Sequence, residues 1–188
     1  RYFRCCVITT IKGIVIAGRQ MPQNYVDLND LKLGKTATVE LTHGRLNEGG
    51  LVIICGSPGN GKTTTSSATI IKRLEMWGGM CITIEDPPEI PLDGRHGKGN
   101  CIQTQVKDEG FASSIKMSMR SYPTGQNSIM FVGEVRDSKT AVEVLKSSID
   151  GRLVITTLHS DSVLSAVQRI ASLASSEIND NAYHMMAN

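Results

Sequence analysis

Apolar residues are distributed along this chain in short blocks whose rhythm switches between strand-like and helical. Residues 2–10 and 14–20 are two β-rich runs separated by Lys12-Gly13, which predicts a hairpin or two neighbouring strands. From 21 to 49 the pattern breaks up around Pro, Gly, Asp and Asn, with one short helical stretch at Asp30–Leu33; this reads as a linker with local structure. Leu51-Val52-Ile53-Ile54-Cys55 is a continuous apolar run, as a strand covered on both faces would show. Residues 62–77 then place Ile70, Ile71, Leu74 and Trp77 at helical spacing, and Gly78-Gly79 ends the helix. The alternation repeats: a strand at 80–84, a Pro/Gly loop at 87–100, a short strand at 101–105, a helix at about 110–120 and a strand at 129–132. A helix at 138–149 sets Ala141, Leu145 and Ile149 on one face and stops at Asp150-Gly151; a strand at 153–157 and one or two helices over 162–187 follow. Strand–helix alternation predicts an α/β fold with a mostly parallel sheet and helices on both faces.

Composition narrows this picture. The 188 residues suit one medium domain, or one domain and part of another. Aromatics are only 4%, so the core must rest on aliphatic side chains. The formal net charge of +2 supplies no strong field, and no direct nucleic-acid binding is expected. The five cysteines, at 5, 6, 55, 81 and 101, lack C-x-x-C spacing, which argues against a disulfide framework or a zinc site. Cys55 and Cys81 read as small buried hydrophobes, and reduced thiols suit the cytosol. No apolar run reaches the length of a membrane span. The chain starts at Arg1 without Met, on residues already strand-like, and is expected to be a piece of a longer protein.

Candidate chemistry begins at Gly56-Ser57-Pro58-Gly59-Asn60-Gly61-Lys62-Thr63, a full match to G-x-x-x-x-G-K-[ST]. It follows an apolar strand and opens an amphipathic helix, the context its mechanism needs. Glycines let the loop turn its N–H groups onto phosphate oxygens, and the helix N-terminus adds partial positive charge. Lys62 neutralises β- and γ-phosphates, and the Thr63 hydroxyl is a hard ligand for Mg²⁺. Hydrolysis also needs carboxylates at the C-terminal ends of neighbouring strands. Glu85-Asp86 and Glu134 stand there, the latter after Gly133, where many P-loop ATPases carry an Asp. Glu-Asp before Pro-Pro is equally ordinary turn chemistry. His159 follows the Val154–Leu158 strand and could bond phosphate or water, although a lone His at a strand end is more often a structural hydrogen bonder. Thr156 and Thr157 are as readily strand formers.

The four motifs in order are Gly56–Thr64, Ile84-Glu85-Asp86-Pro87, Val132-Gly133-Glu134-Val135-Arg136-Asp137 and Thr157-Leu158-His159-Ser160. Together they resemble the Walker A, Asp box, Walker B and His box of the motor ATPases of type IV pili and type II and type IV secretion. The resemblance implies a RecA-like P-loop NTPase that hydrolyses ATP with Mg²⁺. It implies a β remnant of a PAS-like N-terminal domain at 1–20, a linker at 21–49, and a RecA-like ATPase domain at 50–188 without its C-terminal oligomerisation helices. It also implies a cytoplasmic homo-hexamer, peripherally associated with the inner membrane through a platform protein. By carry-over, Glu134 and Glu85 are catalytic, with Asp86 supporting at the metal. His159 reads the γ-phosphate, and Arg136 ties the Walker B turn to neighbouring elements. Gly56 to Thr64 bind nucleotide, with Thr63 also on the metal.

Two departures stand out. The family's Gln-Arg-Glu-Val run reads Gln103-Thr104-Gln105-Val106, so another Arg must replace the missing charge, with Arg95 and Arg120 as candidates. The Tyr122–Ser128 link is longer than usual. Both resemble the branch of conjugative thin pili and type IVB secretion. The tetra-cysteine zinc insertion is not in this stretch. A P-loop kinase would need a lid with several Arg residues, and only Arg95 lies in the 87–100 loop. A nucleotide-gated scaffold with little hydrolysis is the other alternative, and two intact acidic motifs argue against it.

Overall fold

The structure is a computed structural model and describes residues 3–178 together with 182, 185 and 186. The Lys12-Gly13 turn joins β1 (Phe3–Thr10) to β2 (Gly13–Gln20) in an antiparallel hairpin, Thr10 opposite Gly13 and Phe3 opposite Gln20. Both faces of this ribbon are exposed, with Val7, Ile8, Ile14 and Ile16 among the uncovered side chains.

The segment from 21 to 49 holds more structure than its pattern predicts. A 3₁₀ turn at Leu28–Leu31 buries Leu28, helix α1 spans Lys35–Thr42, and a second 3₁₀ turn spans Gly44–Asn47. α1 has no buried residue and no apolar stripe, so hydrophobic periodicity could not reveal it. It is gripped from outside. The buried Arg73 guanidinium donates to Leu41 O and His43 O, both at 3.1 Å, and to Asn47 Oδ1 at 2.5 Å, while Trp77 Nε1 donates to Thr42 O at 3.0 Å.

The body of the chain runs β3 (Gly50–Cys55), α2 (Lys62–Trp77), β4 (Gly79–Glu85), β5 (Gly94–His96), β6 (Gly99–Gln105), α3 (Gly110–Ser118), β7 (Ser128–Val132), α4 (Ser138–Ile149), β8 (Leu153–Leu158) and α5 (Val163–Ile178). The six strands form one sheet in the order β3-β8-β7-β4-β6-β5. All neighbours are parallel except β5, a short strand inside the 87–100 loop that pairs antiparallel with β6. Helices cover both faces, as the alternation predicts. Period-two alternation divides the core: Ile129, Phe131, Leu153 and Ile155 pack with Ile70, Ile71 and Leu74 of α2 on one face. Met130, Val132 and Val154 pack with Ile115 of α3, Leu145 of α4 and Ile170 of α5 on the other.

Some expectations need correcting. β3 is half-buried throughout, because it pairs only with β8 among the described residues; Cys55 is accordingly half-buried, whereas Cys81 in a central strand is buried. Ile149 is 48% exposed, while Ala141 and Leu145 are buried; it stands at the last residue of α4, where the chain turns away at Asp150-Gly151. The 162–187 helix is seen as α5, with residues 179–181, 183, 184 and 187 outside the described residues. No helix among the described residues is long and apolar enough to cross a membrane.

Candidate active site

Register assembles the site. Ile53, Thr156, Val132, Ile84 and Thr104 form one row across β3, β8, β7, β4 and β6. One residue further along each strand stand Ile54, Thr157, Gly133, Glu85 and Gln105. Because side chains alternate, residue 85 shares its face with Cys81, and residue 157 shares its face with Ile155, both of which pack toward α2. The α2 face is also where the phosphate loop ends, so the carboxylate row and the loop meet above one end of the sheet.

The loop is shaped by its glycines. Gly59 and Gly61 hold φ of +83° and +75°, which side chains with a Cβ rarely adopt. Asn60 N donates to Ser57 O at 3.3 Å to close the turn, Gly56 N donates to Leu158 O at 3.3 Å, and Thr65 N donates to Gly61 O at 2.8 Å as α2 begins. Lys62 is 9% exposed; its Nζ donates to Ser57 O at 3.1 Å and to His159 Nδ1 at 3.3 Å. An ammonium can only donate, so this nitrogen of His159 accepts and the ring proton sits on Nε2. The His159 backbone is itself held, its carbonyl accepting from Arg169 at 3.2 Å.

A cavity of about 390 Å³ opens at this point, lined by Pro58, Gly59, Gly61, Lys62, Thr63 and Thr64 of the loop, Glu85 and Asp86 after β4, Gly133, Glu134 and Arg136 after β7, and Thr157 and His159 on β8 and just beyond it. The residues given catalytic, nucleotide or metal roles thus face one space or, for Gly56, Ser57 and Asn60, shape the loop around it. Thr156 and Thr157 are more than strand formers: their hydroxyls donate to Val132 O at 2.8 Å and Gly133 O at 2.6 Å, pinning the end of β7 to β8.

The two carboxylates have different surroundings. Glu85 is 3% exposed and accepts from Gln103 Nε2 at 2.9 Å. Burial pushes its carboxyl above the usual range, opposed by hydrogen bonds from Gln103, Thr83 and the Glu89 backbone. Glu134 pairs with Arg136 within the same turn, and this bond holds the guanidinium above its usual pKa. Arg136 is thus hydrogen-bonded to Glu134 in its own turn, and the Asp86 carboxylate after β4 adds to the raise. Asp137 caps α4, its Oδ1 accepting from Thr140 N at 2.9 Å. A Cβ on Gly133 would meet Ile84 O at 3.5 Å, Glu85 Cα at 3.6 Å and Cγ at 3.7 Å, ordinary van der Waals contacts, so a small side chain there would pack against β4 and the base of Glu85.

Neither Arg95 nor Arg120 lines the cavity. Arg95 lies on β5, and Arg120 follows α3. Among the described residues, the Lys and Arg cations that do line it, besides Lys62 and Arg136, are Arg4 and Arg19 of the hairpin. They are direct cross-strand partners. Two like charges placed opposite each other destabilise a ribbon unless an anion lies between them. The signal was available in the sequence: a turn that pairs Thr10 with Gly13 brings Arg4 opposite Arg19 by simple counting.

The arrangement suits a triphosphate with a divalent cation. Backbone N–H groups, Lys62 and the hairpin arginines converge with a Thr hydroxyl and several carboxylates. The family described as "Type II/IV secretion system protein" matches residues 2–185. The chain is 35% identical over 172 residues to type II secretion system protein E of Klebsiella pneumoniae, covering 89% of this chain and 32% of that protein. It is 31% identical over 172 residues to type II secretion system ATPase E of Vibrio cholerae, covering 89% of this chain and 32% of that one. The chain thus spans about a third of these relatives. Among solved structures, the pilus retraction motor PilT with bound ADP superposes with a TM-score of 0.84 at 27% identity, over 98% of this chain and 52% of PilT. The ATPase DotB of Legionella pneumophila superposes with a TM-score of 0.76 at 23% identity, over 98% of this chain and 49% of DotB, a likeness of fold.

Proposed function

This chain belongs to the type II/IV secretion system protein family and has its RecA-like P-loop fold, and from that premise we propose that it is the ATP-hydrolysing part of a hexameric motor that drives pilus assembly or retraction, or protein or DNA export. The observation that carries this reading is the convergence of Lys62, Thr63, Glu85, Glu134 and His159 on one cavity at the C-terminal ends of adjacent parallel strands.

Phosphoryl transfer to water asks a protein mainly for positioning and charge neutralisation. The loop N–H groups and Lys62 hold the β- and γ-phosphates, and Arg4 and Arg19 meet the same anion from the hairpin. Water attacks the γ-phosphorus, the bond to the β–γ bridging oxygen breaks, and a carboxylate takes the proton that water loses. Glu85 suits that role, since burial makes it a better base than an exposed carboxylate. Glu134 faces the same cavity and orients the water. Thr63 and Asp86 would hold Mg²⁺, which supplies positive charge to the phosphates. His159, bonded to Lys62, is placed to respond when the lysine engages phosphate.

The resemblance to longer relatives extends the proposal to a two-domain subunit. The hairpin belongs to an N-terminal PAS-like domain, 21–49 to the linker and 50–188 to the motor domain, and nucleotide binding draws the two domains together. The assembly is a cytoplasmic homo-hexamer working against a platform protein of the inner membrane. Phosphate release by the full-length protein tests the catalytic core. Lys62→Ala should abolish binding of a fluorescent ADP analogue. Glu134→Gln should bind ATP with turnover lowered by roughly 100-fold or more. Turnover at the parental rate in Glu134→Gln would remove Glu134 from the reaction.

A further inference from the structure

Gln103 lies on β6 in register with Thr83, so Glu85 is its diagonal neighbour on the adjacent strand. Its side-chain amide uses its polar atoms on one small region. Nε2 donates to Glu85 Oε1 at 2.9 Å and to Ile90 O at 2.8 Å, and Oε1 accepts from Leu92 N at 3.0 Å. Its backbone N donates to Asp93 Oδ1 at 2.9 Å. The orientation of the amide is fixed by its partners. Flipped, it would set an oxygen against two acceptors and an NH₂ against the Leu92 N–H. We propose that Gln103 is a positioning residue of the hydrolytic reaction, holding the Glu85 carboxylate toward the phosphate cavity and coupling it to the loop that follows β4; this rests on reading Glu85 as a carboxylate of the reaction.

Three features carry the assignment. The loop contains Pro87, Pro88 and Pro91, which lack N–H donors, so beyond the Glu89 backbone bond to Glu85 and the His96 bond to Leu92 O it has few ties of its own. Gln103 supplies the missing bonds at Ile90 and Leu92, and the same amide nitrogen reaches Glu85. The diagonal geometry also demands length. Neighbours two residues out of register on adjacent strands are farther apart than direct partners, which a long amide spans and Asn, one methylene shorter, does not. Finally, the bond leaves the second Glu85 oxygen free of Gln103. A carboxylate tethered through one oxygen keeps the other in a fixed direction, which is what near-attack placement requires. Gln103 itself does not line the phosphate cavity, so its effect on turnover passes through Glu85.

Steady-state and single-turnover ATP hydrolysis by the full-length protein, with binding of a fluorescent ADP analogue, tests this on Gln103→Met, Gln103→Asn and Glu85→Gln. Gln103→Met keeps the length of the side chain and loses the donors. Its kcat should fall roughly 10- to 100-fold, while KM and the ADP-analogue Kd stay within about twofold. Gln103→Asn, which keeps an amide but loses the reach, should show the same split, and it decides the matter if the Met variant does not fold. In a Glu85→Gln background the Gln103 substitution should cost less than about twofold more, because both act on one step. Parental kcat in the Gln103 variants beside an inactive Glu85→Gln overturns the proposal alone. So does a loss that appears as weakened binding at unchanged kcat, or one that persists in full on top of Glu85→Gln. Parental turnover in Glu85→Gln overturns the reading of Glu85, and the proposal with it.

Discussion

Glu85 shows how one residue can be placed by the fold in an environment its own chemistry resists. Its carboxyl is held above the ordinary range mainly because it is buried. The folded chain therefore binds that proton more tightly than the unfolded chain does. The stability this gives is fully present below the ordinary carboxylate pKa and is lost as pH rises through the raised one. Glu85→Gln, which keeps an oxygen for the Gln103 amide, should melt at a higher temperature than the parent at neutral and alkaline pH. The gap should close as the buffer is taken down into the ordinary carboxylate range; a gap that ignores pH would contradict this account. Function at the expense of stability is common in active sites. The motif identified Glu85 as a candidate, but the sequence left it balanced against plain turn chemistry. Its burial and its Gln103 partner arise from a neighbouring strand, which no local pattern encodes.

At the scale of elements, α1 and α2 are joined by side chains rather than by a shared apolar seam. Arg73 is buried, and burial brings its guanidinium down to about 10, still charged at neutral pH. The charge sits at the C-terminal end of α1, where a cation favours the helix dipole; it donates to Leu41 O of the last turn and shares His43 O with Leu46 N. Arg73→Met would leave Leu41 O and Asn47 Oδ1 without this donor and cost about 3 kcal/mol. This should appear as a lower urea midpoint. Arg73→Lys should recover only part of it, since one ammonium cannot reproduce the fork. An unmoved midpoint in Arg73→Met would show the contacts to be idle. The strongly periodic elements, α2, α4, β7 and β8, were legible because their apolar faces are written into spacing. α1 and β5 were not. One has no apolar stripe, and the other is a three-residue strand formed only because β6 offers it an edge.

At the scale of the whole molecule, the hairpin and the six-stranded sheet meet lightly. Arg4 and Glu89 form a largely exposed pair at 3.7 Å, worth little in stability. Yet Arg4 and Arg19 line the phosphate cavity. Removing residues 1–20 should therefore shift the thermal midpoint by only a few degrees while weakening nucleotide binding by roughly tenfold or more, the worth of one charge-assisted bond. A large loss of stability, or no loss of affinity, would contradict this division. Measured by calorimetry and by titration of a fluorescent ADP analogue, the two effects separate cleanly.

What the sequence determined by itself was local. The phosphate loop, the strand–helix alternation and the acidic strand ends each depend on neighbours within a few residues, where spacing and glycine placement carry the physics. Tertiary structure alone decided which residues from distant segments share one space. Parallel register set Glu85, Gly133 and Thr157 in one row, strand order gave Glu85 its Gln103, and the hairpin rather than the loop supplied the arginines. Such pairings are settled by how whole elements pack, and burial, which shifts the Glu85 carboxyl and encloses Arg73, exists only once they have packed.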